Sequence, residues 1–101
     1  MTDRLDATLD RYSTLTTELR ELYERQADLK TRELTTYSEA WSGAVAFGVT
    51  ERNKIAQLAT LRETNELTMI DGELHAVLAE LRFLDHLLTV DLANMGIQLG
   101  P

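Results

Sequence analysis

From Leu5 onward, apolar residues return every three or four positions: Leu5, Leu9, Tyr12, Leu15, Leu19 and Leu22, then Leu29, Leu34, Tyr37 and Trp41. That spacing sets them along one side of a helix, and the alternation expected of a strand is missing. It predicts a helix over about residues 3–40. Thr2 or Asp3 is placed to cap its start, where Asp3 and Asp6 match the positive end of the helix dipole. Glu21–Arg25 and Asp28–Arg32, each four apart, add ion-pair support on the wet face. Gln26 and Glu33 fall at positions that should face inward, where polar side chains set register and partner number.

A second helix is predicted over about residues 50–93, with Thr50 as N-cap and Glu51 in the first turn. Its apolar set runs through Ile55, Leu58 and Leu61, then becomes a strict heptad of Leu67, Ile70, Leu74, Val77, Leu81, Leu84 and Leu88. Asp71-Gly72 reads locally as a turn, yet the heptad keeps its phase across it. One continuous helix is therefore expected, with Gly72 costing about 1 kcal/mol relative to alanine. A break at Gly72, giving a three-helix bundle, is the alternative. Asn94-Met95-Gly96 reads as a C-cap, and a short tail runs to Pro101.

Between the helices the pattern changes, in the stretch WSGAVAFGVTERNK. It holds the sole tryptophan, and from Gly43 to Val49 it carries no polar side chain. A turn over 41–49 is predicted. Trp41, Ala44, Val45, Phe47 and Val49 either form a small core that closes the turn or stand out as an apolar tip that docks on a partner. On the second reading Trp41, Val45, Phe47, Val49, Arg52 and Lys54 are the partner-binding residues.

Two helices of about 40 residues are each roughly 55–60 Å long. A bare hairpin of that length leaves much of its apolar stripe in water. The expected fold is thus all-α: a single domain over 1–101, an antiparallel, coiled-coil-like helical hairpin assembled into an oligomeric bundle. Leu67, Ile70, Leu74, Val77, Leu81, Leu84 and Leu88 form the expected oligomer seam.

Composition narrows the function classes. The 101 residues allow one domain at most, and a formal charge of −7 opposes nucleic-acid binding over the whole surface. With no cysteine, disulfides and thiolate metal sites are excluded. The start, MTDRLDATLDRY, is too polar for a secretory signal, and no apolar run reaches the roughly 18–20 residues that span a bilayer. A cytoplasmic protein without membrane contact is expected.

Candidate chemistry is sparse. His75 and His86 lie about three helical turns apart, but Asp71–His75 and Asp85–His86 do not supply the Glu-x-x-His spacing of a helical di-iron site. They are expected to be ordinary surface or interface histidines, with no metal. No nucleophile motif and no glycine-rich phosphate loop occurs, and the seventeen carboxylates are spaced like solvated helix faces. Neither enzyme activity, catalytic residues nor a cofactor is expected. Arg52, Lys54 and Arg62 give the second helix start a local positive patch. Weak, salt-sensitive nucleic-acid binding there is a third reading, behind self-association and binding of another protein.

Two resemblances follow from particular segments. Tyr37-Ser38-Glu39-Ala40-Trp41, Gly48-Val49-Thr50-Glu51-Arg52-Asn53-Lys54-Ile55-Ala56 and Leu81-Arg82-Phe83-Leu84-Asp85-His86-Leu87-Leu88 resemble small coiled-coil proteins of tailed bacteriophages, notably those of actinobacteria. That resemblance covers about residues 37–88. It implies an accessory protein acting in the host cytoplasm near recombination or replication functions, or on a host protein. Trp41-Ser42-Gly43 is also similar to the Trp-x-Gly turn of the helical hairpins exported by type VII secretion, which pair with a sister chain. No tyrosine follows Tyr37, so the Tyr-x-x-x-Asp/Glu export signal of that family has no counterpart.

Overall fold

A computed structural model of the chain describes residues 2–96, all in helices or in the short connections between them. Helix α1 spans Thr2–Gly43, α2 Val49–Ala59 and α3 Leu61–Asn94, and no strand occurs among the described residues. No helix among them is long and apolar enough to cross a membrane.

The predicted second helix divides, but at Thr60 rather than at Gly72. Thr60 leaves helical geometry with ψ near 7°, although its N–H still reaches the Ala56 carbonyl at 3.2 Å. Its hydroxyl donates back to the Ala56 and Gln57 carbonyls, both at 3.1 Å. Such back-bonding satisfies a buried hydroxyl and bends the helix at that point. The helix resumes at once, with Thr64 N–H donating to the Thr60 carbonyl at 2.9 Å. Gly72 lies inside α3 in exposed, open surroundings.

The inward face keeps phase across that bend. Asn53, Ala56, Thr60, Glu63, Leu67, Ile70, Leu74, Val77, Leu81, Leu84, Leu88 and Asp91 alternate steps of three and four, and each is buried or half-buried. On α1 the matching row is Leu5, Thr8, Tyr12, Leu15, Leu19, Leu22, Gln26, Leu29, Glu33 and Thr36. Gln26 and Glu33 therefore do face inward. Leu9 and Leu34, expected in the stripe, are exposed, and Thr8 and Glu33 take the neighbouring inward slots. Thr8 is cheap to bury because its hydroxyl donates to the Arg4 carbonyl at 2.8 Å.

The chain falls into two compact units. The first joins α1 up to Glu21 with α3 from Glu73, and Leu15, Leu74, Val77 and Leu84 are buried in it. Arg4 pairs with Asp91 at 3.2 Å, and Arg11 grips Glu80 with Nε–Oε1 and Nη2–Oε2 contacts of 2.9 and 3.0 Å. Partner numbers fall on α3 as they rise on α1, so the two helices run in opposite directions here. The second unit holds α1 from Leu22, all of α2, and α3 through Gly72, with Leu22, Leu29, Ala44, Ala56 and Ile70 buried.

The expected oligomer seam is thus used inside the chain. Ile70, Leu74, Val77 and Leu84 are buried, and Leu67, Leu81 and Leu88 are half-buried.

The helix ends refine the predicted caps. Asp3 sits in the first turn of α1 and does not precede it. The N-cap of α2 is Gly48, in extended geometry, with Val49 and Thr50 already helical. The carboxylate of Glu51 curls back over Gly48, 2.9 Å from where a β-carbon would sit. Gly96 takes the left-handed conformation (φ 80°) and donates to the Ala93 carbonyl at 3.0 Å, completing the predicted cap of α3. Of the two (i, i+4) pairs expected on α1, Asp28–Arg32 forms, at 2.8 Å. The tail to Pro101 lies outside the described residues.

Candidate interaction site at the turn

The second unit contains the stretch that broke the helical pattern. Helix α1 has no basic residue in its last turn, so its final carbonyls need partners from elsewhere. Arg52, in the first turn of α2, supplies one for Trp41. Its Nε and Nη2 donate to the Trp41 carbonyl at 3.1 and 2.8 Å, and its guanidinium carbon lies 4.0 Å from the centroid of the Trp41 ring. One side chain thereby caps α1, stacks on an aromatic face and ties α2 to α1.

Ala44 and Ala56 are buried, the second completely. The turn is short: Ala44 N–H donates to the Trp41 carbonyl at 3.2 Å, and Phe47 N–H to the Ala44 carbonyl at 3.1 Å. One turn further along, the Tyr37 hydroxyl donates to Asn53 Oδ1 at 3.1 Å. Tyr37, Ser38, Trp41, Ser42 and Asn53 line a shallow cleft of about 450 Å³.

Only part of the turn's apolar run is packed. Ala44 is buried and Trp41 half-buried, whereas Val45, Phe47 and Val49 keep 73%, 54% and 65% of their surface in solvent. Both sequence readings thus find residues here: a small closure under Trp41, and three large apolar side chains standing outside it. The basic patch is thinner than its sequence suggests. Arg52 is half-buried on Trp41, leaving Lys54 and Arg62 exposed.

The other chemistry-bearing residues do not assemble. His75 and His86 are both exposed on α3, and no group of three or more metal-ligating side chains comes together among the described residues. No protein family matches the chain, and no characterised protein or solved structure matches it.

Sequence reasoning missed the buried polar positions Thr8, Thr60 and Asp91. Asp91 buries one oxygen without a partner while the other meets Arg4. The signal was present: continuing the heptad past Leu88 by three residues reaches Asp91. A second shallow groove, of about 370 Å³, lies among Gln26, Lys30, Glu33, Thr64, Leu67, Thr68 and Asp71. Thr64 Oγ1 reaches Glu33 Oε2 across it at 3.5 Å.

Proposed function

We propose that this chain is a non-enzymatic accessory protein that self-associates and docks on another protein through the tip formed by Val45, Phe47 and Val49. The observation that carries this reading is the exposure of all three side chains beside a turn already closed by Trp41, Ala44 and Arg52. Closing the turn does not need them, and a cluster of large apolar groups in water favours any complementary surface that removes it. Burying a side chain of this size is worth about 1.5–3 kcal/mol.

On the phage-type resemblance, such a protein would act in the host cytoplasm. The alternative, an exported hairpin that pairs with a sister chain, is favoured by the position of Trp41-Ser42-Gly43 as the closing residues of α1. Genomic neighbours separate the two, being phage genes in one case and secretion genes in the other. Nucleic-acid binding is the weakest reading, since Arg52 is occupied and the formal charge is −7.

The test is capture of a partner from host lysate by wild type, Phe47→Ala and Val49→Ala, with helix content and melting measured in parallel. The expected result is unchanged folding and partner affinity weakened by about 2 kcal/mol or more, the size of an interface hot spot. Undiminished capture by both variants would place the working surface elsewhere.

A further inference from the structure

We propose that α2 opens from the second unit as a small cooperative segment of its own, hinged at Thr60 and held shut by the latch of Arg52 on Trp41, while α1 and α3 keep their helices. At 11 residues α2 is below the roughly 12–15 at which a helix becomes even marginally stable alone. Its N-cap, Gly48, offers no side-chain bond. The departure from helical geometry at Thr60 separates it from the 34-residue α3, so it draws little support from the longer helix. Packing does not make up the difference. Ala56 is the one buried residue of α2, Ile55 is half-buried, and Val49 and Leu58 are exposed. Elsewhere in the same unit α1 buries Leu22 and Leu29, and α3 buries Ile70.

A polar step lies between α2 and that apolar packing. The inward row of α1 carries Glu33 and Thr36 after Leu29, and the facing row carries Thr60 and Glu63 between Ala56 and Leu67. Glu63 Oε2 is buried without a hydrogen-bond partner, a cost that water relieves when the segment opens. What ties α2 to α1 is polar: the two bonds from Arg52 to the Trp41 carbonyl, its stacking on the Trp41 ring, and the bond from the Tyr37 hydroxyl to Asn53. Water replaces such bonds on opening, so each resists it only modestly. Segments with few buried apolar contacts open locally, at free energies well below that of the whole fold. Opening uncovers the Trp41 ring and reshapes the tip, since Val49 is the first residue of α2. It does not depend on what docks there.

Native-state amide hydrogen exchange of the full chain, read residue by residue by NMR in water and in low urea, tests this. Amides of residues 52–59 should be at least about tenfold less protected than those of 74–84, and their exchange should respond little to urea, because a local opening exposes little surface. Val77→Ala, in the first unit, should speed exchange over 74–84 and leave 52–59 unchanged, since Val77 stays packed while α2 opens. Arg52→Ala should speed exchange over 52–59 by about tenfold. Tyr37→Phe, which removes only the bond to Asn53, is a milder second variant to the same end. Equal protection and equal urea response over both segments, or acceleration of both by Val77→Ala, would show that α2 opens only with the whole chain and would overturn the proposal. Unchanged exchange over 52–59 in both Arg52→Ala and Tyr37→Phe would overturn the latch.

Discussion

At the scale of single residues, the turn is governed by one side chain whose role local spacing does not reveal. The sequence pattern sets Trp41-Ser42-Gly43 in the turn after a helix over about residues 3–40, whereas α1 runs on through Gly43. Arg52, by contrast, reads as one charge in a basic patch, because nothing eleven residues upstream signals that a carbonyl and a ring will lie within its reach. In the fold it donates twice to Trp41 and covers its ring. Arg52→Ala should cost about 1–2 kcal/mol in urea unfolding, combining a charge-assisted hydrogen bond with a partly exposed cation–π contact. Arg52→Lys should recover less than half of that, because an ammonium lacks the planar fork that holds carbonyl and ring together. A lysine variant as stable as wild type would show that charge alone matters. Phe47 and Val49 were legible as members of an apolar run, but their exposure depends on how tightly the turn closes over Ala44.

At the scale of elements, the heptad was the dependable signal and the punctuation was not. The row from Leu67 to Leu88 predicts one uninterrupted inward face, and that face extends on to Asp91. Asp71-Gly72 looks like a turn by composition, yet helical backbone continues through it because the packing on either side keeps one phase. Thr60 carries no such warning, and the helix breaks there, since a buried hydroxyl takes up carbonyls of the preceding turn. Leu34 shows the converse error. It fits a three-or-four spacing, but the row used by the fold passes through Glu33. Gly72 should therefore be a site for gain. A β-carbon there meets nothing within 4 Å, so Gly72→Ala should raise stability by about 0.5–1 kcal/mol by limiting the unfolded chain. For a chain of this length that is a rise of several degrees in melting temperature. A lower melting temperature would mean that the glycine serves an interaction made on its open side.

At the scale of the whole molecule, the acid response pits two electrostatic effects against each other. At neutral pH a charge of −7 is spread over 101 residues, and this general repulsion opposes compaction. It relaxes as carboxylates take up protons. The Arg11–Glu80 pair behaves in the opposite way. The hydrogen bond from Arg11 holds the Glu80 carboxyl below its ordinary range, and the same bond raises the guanidinium, which stays charged at every accessible pH. A depressed carboxylate binds protons less readily in the folded state than in the unfolded one. The stability it contributes is therefore present above the unfolded value and lost as pH falls through the folded one. Global melting curves mix the two effects, so the difference between wild type and Glu80→Gln isolates the pair. That difference should be small, because both groups are solvent-exposed, but positive at pH 7. It should hold level down to the ordinary carboxylate range, near pH 4–5, and shrink toward zero below it. High salt should shrink it at neutral pH as well. A difference unchanged between neutral and strongly acid solution would mean that the charge of Glu80 contributes nothing to holding the first unit together.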